Sequence, residues 1–299
     1  MTFRPFVRRG LVTGLAGALL LAFTAGVAAA RGPSSVWSLK GAKNTVYLAG
    51  SVHALPPDHS QIPEQLERAY GASRRIVMEV DLDDMDPLEA VQFVASRGTL
   101  PEGQSLESIV GTAGYAKVQA LSRSLEVPDV VIARLEPWAA AMVLTQFALL
   151  KSGYDPNLGI DMQLVERART DGKPVDGLET VVDQLGIFDD RSVTEQTEFL
   201  LASADDVAGL PDDLRRLVDG WRTGNLKALE KELTRERAQV PRLYDELLGA
   251  RNRKWLPKIE ALLAGDQDVL VVVGALHFVG EDGLIELLSK DGHKPVPLR

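Results

Sequence analysis

The chain contains no cysteine, and histidine occurs at only four of its 299 positions. The absence of cysteine excludes disulfides, thiol catalysis and cysteine-ligated zinc. Basic residues are outnumbered, 33 against 42 acidic ones, which argues against nucleic acid or an anionic lipid surface as a partner. The sequence also lacks a P-loop, a dinucleotide-binding glycine turn and a G-x-S-x-G elbow. We therefore expect neither a nucleotide-dependent enzyme nor a serine hydrolase.

The first thirty residues differ in composition from the rest of the chain. Three arginines give a positive start, an apolar run covers positions 11–27, and three alanines follow at 28–30. This layout predicts a secretory signal peptide over residues 1–30, with a twin-arginine route open because of Arg8 and Arg9. An uncleaved membrane anchor is the alternative, since the run is near the length that spans a bilayer. With cleavage we expect a periplasmic or secreted protein without stable membrane insertion.

The mature chain is expected to form one α/β domain over residues 31–299, because no linker or repeat interrupts it. Apolar runs near its two ends predict a central, mostly buried β-sheet flanked by helices, and a long helical insertion or cap separates them. Predicted strands cover 36–39, 45–52, 75–80, 173–176, 268–273 and 296–298. Predicted helices cover 62–70, 87–96, 105–109, 115–125, 137–151, 157–170, 179–185, most of 192–264 with breaks near 209, 224 and 249, and 283–288.

Two segments of the same form carry the most information about function. TVYLAGSVH ends at His53 and DVLVVVGALH ends at His277, so each predicted buried strand is followed by Gly-x-x-His. Ligands of open α/β sheets bind outside the carboxyl ends of the strands, which is where both imidazoles are expected. Each histidine could equally be a satisfied residue at the solvent edge of the fold.

A third candidate, Glu79, lies near the end of the apolar run RIVMEV. A buried carboxylate needs a partner, which could be a metal, a histidine or an arginine. His53, Glu79 and His277 could together hold a divalent ion with an open coordination position. The same set could also work without metal, with a histidine as general base that Glu79 orients. The residues themselves do not choose between these two mechanisms.

Two further residues are weaker candidates for catalytic or supporting roles. Glu179 is predicted to open a helix, where capping is the alternative explanation. Arg251 and its neighbour Asn252 could bind a carboxylate or phosphate, and a surface ion pair is the alternative for Arg251. Asp161 is predicted in the first turn of a helix, where it would stabilise the dipole. His59 and His293 are predicted in loops without a chemical role.

Several stretches, in order, resemble the TraB/GumN family. They are VWSLKGAKNTVYLAGSVHALPPD, RIVMEVDL, the segment from EPWAAAM through NLGIDMQL to GLETVVDQL, ARNRKWLPKIEALL and VLVVVGALHFVGEDGLIELL, and they span about residues 36–290. That family is related to the Tiki proteins, which are membrane-tethered, divalent-metal-dependent metalloproteases with two Gly-x-x-His elements and a glutamate. The resemblance maps these elements onto His53, His277 and Glu79.

The resemblance implies a sheet flanked by helices, with two related halves that each contribute one Gly-x-x-His. It further implies a hydrolase that cleaves a peptide or protein substrate and binds Mn²⁺, Co²⁺ or Zn²⁺ through His53, Glu79 and His277, with Glu179 or Arg251 in support. The wider superfamily also includes erythromycin esterases and ChaN-like haem-binding proteins. A metal-independent esterase and a non-catalytic haem- or metal-binding envelope protein therefore remain alternatives, since a fold does not fix a reaction.

Overall fold

A computed structural model describes residues 35–83, 87–207 and 209–299. The predicted signal peptide over residues 1–30 lies outside the described residues. The described residues contain six strands: β1 (Val36–Lys40), β2 (Thr45–Ser51), β3 (Arg75–Val80), β4 (Val175–Glu179), β5 (Val269–Gly274) and β6 (Val296–Pro297). The α-helices are α1 (Glu64–Ala72), α2 (Pro87–Arg97), α3 (Leu106–Ser124), α4 (Asp129–Ile132), α5 (Pro137–Lys151), α6 (Ile160–Asp171), α7 (Val181–Asp189), α8 (Val193–Asp206), α9 (Leu210–Arg222), α10 (Leu226–Gln239), α11 (Pro241–Tyr244), α12 (Arg251–Leu263) and α13 (Leu284–Lys290).

The six strands form one mixed sheet in the order β4-β3-β5-β2-β1-β6. The four strands from β4 to β2 are parallel, whereas β1 pairs antiparallel with β2 in the predicted hairpin and with β6 at the edge. β2 and β5 are far apart in sequence but adjacent in the sheet, with Ser51 opposite Gly274. Parallel strands end at the same edge, so the segments after β2 and β5 begin side by side.

Helices cover both faces of the sheet, as the apolar strands predict, and the α/β fold class is confirmed. Alternate residues of β5 enter opposite cores: Leu270 and Val272 pack with α1, α6, α9 and α10, whereas Val271 and Val273 pack with α12 and α13. A third apolar cluster joins α3, α5 and α8. The predicted long helical insertion before β5 contributes to these three clusters.

Three local predictions differ from the structure. The prediction that Glu179 opens a helix is wrong, because it ends β4 and Thr180 caps the helix by accepting a hydrogen bond from the N–H of Asp183. The two helices expected over 105–109 and 115–125 form the single α3, which is kinked at Gly111 (φ 75°). The helix break expected near Gly249 is replaced by a π-helical segment, Asp245–Ala250, that continues into α12.

Among the described residues, no helix combines the length and hydropathy needed to cross a bilayer.

Candidate functional site

The structure brings His53, Glu79 and His277 together at the carboxyl edge of the sheet. The Nε2 atom of His53 lies 3.9 Å from Oε1 of Glu79, and the Nε2 atom of His277 lies 3.7 Å from the same oxygen. One carboxylate oxygen therefore stands between the two imidazoles. The convergence follows from the strand order, because β5 lies between the strand of Glu79 and the strand that precedes His53.

His53 is held from the side away from Glu79. Its Nδ1 lies 2.8 Å from Oδ2 of Asp161, whose Oδ1 accepts a hydrogen bond from the Ser51 hydroxyl at 2.8 Å. The charge of Asp161 raises the pKa of His53 to about 9, against the opposing effect of desolvation. The imidazole side chain is nonetheless 65 % exposed, so this half of the site meets solvent.

His277 lies in a 3₁₀ turn, Ala275–Phe278, and is only 3 % exposed. Its Nδ1 is 2.7 Å from Oδ1 of Asn252, while the amide nitrogen of Asn252 donates to the His277 and Asp282 carbonyls. Because that amide oxygen can only accept, we assign the proton of His277 to Nδ1, which leaves a lone pair on Nε2. Burial lowers the pKa of His277 to about 3 despite the nearby charge of Glu79. The Trp255 ring packs 4.5 Å from the imidazole.

Glu79 is buried and accepts hydrogen bonds on both oxygens. Oε1 accepts from the Gly274 N–H at 2.7 Å, and Oε2 accepts from the Gln184 side chain at 3.0 Å and from the Arg251 guanidinium. Burial on its own raises the pKa of Glu79, but the two histidines, Arg251 and the Gly274 N–H together lower it to about 2. The side chain is therefore an anion at neutral pH.

Arg251 and Glu179 form the outer part of the cluster. The guanidinium donates to Glu179 Oε1 from Nε at 3.0 Å and from a terminal nitrogen at 2.7 Å, and it lies 4.6 Å from the centre of the Trp255 ring. The indole N–H of Trp255 donates to the other oxygen of Glu179 at 3.1 Å. Burial lowers the pKa of Arg251, but Glu79 and Glu179 outweigh it and raise the pKa above its ordinary value.

The Cα of Gly274 lies where the side chains of Glu79, His53 and His277 converge. A Cβ placed there would be 3.3 Å from Glu79 Oε1, 3.3 Å from His53 Nε2 and 3.6 Å from His277 Cδ2. The glycine adds no side chain at this point, which forms a common cradle for the three polar side chains. Within the described residues, no set of three or more His, Asp or Glu side chains already stands in metal-ligand geometry.

The sequence did not predict the roles of three residues of this cluster: Asp161, Asn252 and Gln184. Asp161 was expected only to stabilise a helix dipole, Asn252 was noted only beside Arg251, and Gln184 was not singled out. A signal for Asp161 does exist in the preceding glycine: a Cβ at Gly159 would lie 2.3 Å from the His53 carbonyl oxygen. Only glycine lets the start of α6 approach His53 so closely.

The other two histidines stay away from the cluster. His59 pairs with Asp58 at 3.2 Å, and His293 pairs with Glu260 at 3.0 Å.

The fold and the cluster define an α/β protein with a His–Glu–His centre at the carboxyl ends of adjacent parallel strands. The model of the TraB/PrgY/gumN family matches residues 35–297, and the chain belongs to that family. A curated relative, an uncharacterised protein named YbaP from Shigella flexneri, is 26 % identical over 87 % of this chain and 96 % of its own length. YbaP from Escherichia coli K12 is 26 % identical over 81 % of this chain and 87 % of its own length. No solved structure matches the chain.

Proposed function

We propose that this protein is a divalent-metal-dependent hydrolase that is exported from the cytoplasm and cleaves peptide or protein substrates. One observation carries the proposal. The Nε2 atoms of His53 and His277 both lie beside Oε1 of Glu79, at 3.9 and 3.7 Å, while side chains behind each imidazole hold its Nδ1 atom. Metal-binding histidines are commonly oriented in this way by a carboxylate or carbonyl group on the second nitrogen.

The chemical types of the donor atoms, and not a ready-made ligand geometry, support a divalent cation. Two imidazole nitrogens and one carboxylate oxygen form a donor set that suits Zn²⁺, Mn²⁺ or Co²⁺ and leaves a coordination position open. Two carboxylates of the cluster, on Glu79 and Glu179, share the guanidinium of Arg251, while a third, on Asp161, pairs with His53. When bound, such an ion supplies Lewis acidity to a substrate carbonyl and lowers the pKa of water.

The chain's own residues then have distinct tasks. Asp161 and Asn252 fix the rotation of the two imidazoles, so that both Nε2 atoms lie on the side of Glu79 Oε1. Gln184 and the Gly274 N–H hold Glu79 in position, and the Gly274 N–H also helps to lower its pKa. The exposed face of His53 gives a substrate access, whereas the buried His277 closes the opposite side. These groups pre-organise the site before substrate arrives.

The substrate class rests on the relationship of the family to metalloproteases. A peptide or protein substrate is also consistent with the excess of acidic residues, which does not favour nucleic acid. Action outside the cytoplasm follows from the signal-like composition of residues 1–30.

The test is to measure bound metal and peptide hydrolysis in the purified protein and in a His53→Ala/His277→Ala variant. We expect about one equivalent of Mn²⁺, Co²⁺ or Zn²⁺ in the wild type, none in the variant, and a loss of hydrolysis of at least about 100-fold. His59→Ala removes an exposed histidine outside the cluster and should change neither quantity. Absence of metal in the wild type after titration with all three ions would refute the metal-dependent mechanism.

A metal-free hydrolase is the second candidate, because the Asp161–His53 pair has the geometry of a base with its orienting carboxylate. With a pKa of about 9, His53 is protonated at neutral pH and would act as a base only in alkaline solution. Ester hydrolysis that survives a chelator and increases towards pH 9 would favour this candidate over the first.

A further inference from the structure

Arg251 is buried against the candidate metal ligands, with only 7 % of its surface exposed. Its five N–H groups all have acceptors. Nε and one terminal nitrogen serve Glu179 and Glu79, and the other terminal nitrogen lies 2.9 Å from the Leu247 carbonyl and 3.2 Å from Nε2 of His277. A guanidinium has no sixth donor, so none remains for a substrate.

The contact with His277 bears directly on metal binding. Nδ1 of His277 carries the proton that Asn252 accepts, so Nε2 has the lone pair and accepts from Arg251. The same guanidinium also binds Oε2 of Glu79. One internal cation therefore occupies the lone pair of one candidate ligand and neutralises another. A divalent ion needs that lone pair and is repelled by that charge.

We propose that Arg251 competes with the metal ion, and that ion binding makes its guanidinium release His277 and withdraw onto Glu179. This inference rests on the proposed metal-dependent function. In the metal-free protein the guanidinium takes the place of the missing positive charge and keeps Glu79 and His277 paired. With the ion bound, Glu179 retains the guanidinium through the two hydrogen bonds that it already accepts.

The surroundings of Arg251 allow such a movement. A cleft of about 810 Å³ between α7 and α12 lies on its outer side and is lined by Glu179, Gly186 and Lys254. The π-helical segment Asp245–Ala250 ends immediately before Arg251 and includes Leu247, whose carbonyl accepts from the guanidinium. π-Helical turns occur frequently at functional sites, and their wider hydrogen bonding tolerates a local shift of the helix.

The test measures metal affinity by titration calorimetry in the Arg251→Lys variant. Lysine keeps the positive charge for Glu79 and Glu179, but its single nitrogen cannot span the acceptors that the guanidinium reaches from three nitrogens, so the contact with His277 is lost. We expect the Kd for Mn²⁺ or Co²⁺ to fall about tenfold, the equivalent of one hydrogen bond to a charged donor. A residue that merely supports the ligands would give the opposite sign, a loss of about 10–100-fold in affinity.

Glu179→Gln provides the second variant and decides the question if Arg251→Lys does not fold. Glutamine keeps acceptors for Arg251 and Trp255 but removes the charge that receives the guanidinium, so we expect about tenfold weaker metal binding. Arg253→Lys is the control, since Arg253 is exposed on the same helix and pairs with Asp282. Unchanged affinity in Glu179→Gln, or unchanged or weaker affinity in folded Arg251→Lys, overturns this inference but not the proposed function. If the wild-type protein binds no metal, both this inference and the proposed function are wrong.

Discussion

The two halves of the site have the same arrangement of residues but differ in the charge of the residue that holds each imidazole. In each, a parallel strand leads into Gly-x-x-His, and the second residue of a helix holds Nδ1 of the imidazole. That residue is Asp161 in α6 for His53 and Asn252 in α12 for His277. The charged partner raises the pKa of His53 to about 9, whereas burial beside the neutral partner lowers the pKa of His277 to about 3.

The difference teaches that similar motifs can prepare the two imidazoles for separate tasks. His277 is neutral and fixed, so its lone pair is available whenever Arg251 releases it. His53 is exposed and protonated at neutral pH, so it must lose a proton before it can bind a metal ion. We therefore interpret the half-site at β5 as the rigid part of the centre and the half-site at β2 as its exposed part.

The largest expected difference between the halves is in stability. His277→Ala leaves Asn252 Oδ1 and an Arg251 N–H without a partner in a buried place and opens a cavity beside Trp255. We expect a loss of about 2–4 kcal/mol in the free energy of unfolding. His53→Ala removes an exposed side chain and should cost less than about 1 kcal/mol. Urea denaturation of the metal-free variants measures both, and equal losses would contradict the rigid and exposed assignments.

The two glycines of the Gly-x-x-His elements allow a second comparison. A Cβ at Gly50 would meet Cα of Ala275 at 3.1 Å, whereas a Cβ at Gly274 would meet Glu79 and His53. We expect Gly50→Ala to cost about 1–3 kcal/mol by overpacking, with metal affinity retained in the folded protein. Gly274→Ala should cost less stability, because the exposed His53 can turn aside, but it should abolish metal binding. Stability and metal affinity that change together in both variants would refute a special role for the Gly274 cradle.

The sequence predicted this site through features that have a local cause. Strands of consecutive apolar residues, such as Val269–Val273, have to be buried, and a glycine followed by histidine at each strand end identified His53 and His277. Glu79 was identified because a carboxylate in an apolar strand needs a partner. These inferences need only the periodicity of a strand and the cost of burying charge.

The remaining residues of the site depend on packing between distant segments. Gln184 reaches Glu79 across 105 positions, and Arg251 reaches it across 172, so no spacing in the sequence points to either contact. Glu179 was placed in a helix because it precedes one, and only its pairing as Val80↔Glu179 makes it the end of a strand. Helix and strand boundaries near such a junction are decided by tertiary contacts.

The smallest expected effect is a change in one titration. Asp161→Asn gives the half-site at β2 the same kind of neutral partner that Asn252 provides at β5. Because the charge of Asp161 is the main cause of the raised pKa, we expect the pKa of His53 to fall by at least one unit from about 9 towards its ordinary value. NMR titration of the imidazole in metal-free protein measures this change. His277, whose low pKa comes from burial, should keep its titration unchanged.

The pH dependence of the free energy of unfolding shows whether Asp161 acts on His53 through its charge or only by orienting the imidazole. In the wild type, the Asp161–His53 pair adds stability that is complete below the unfolded-state pKa near 6.5 and is lost as the pH rises through about 9. The contribution is small because His53 is exposed. Asp161→Asn should remove this decline while leaving the Ser51 contact able to form. A pKa of His53 that stays near 9 in the variant would mean that Glu79, and not Asp161, raises it. The two half-sites would then differ in the exposure of their histidines and not in the charge of the residues that hold them.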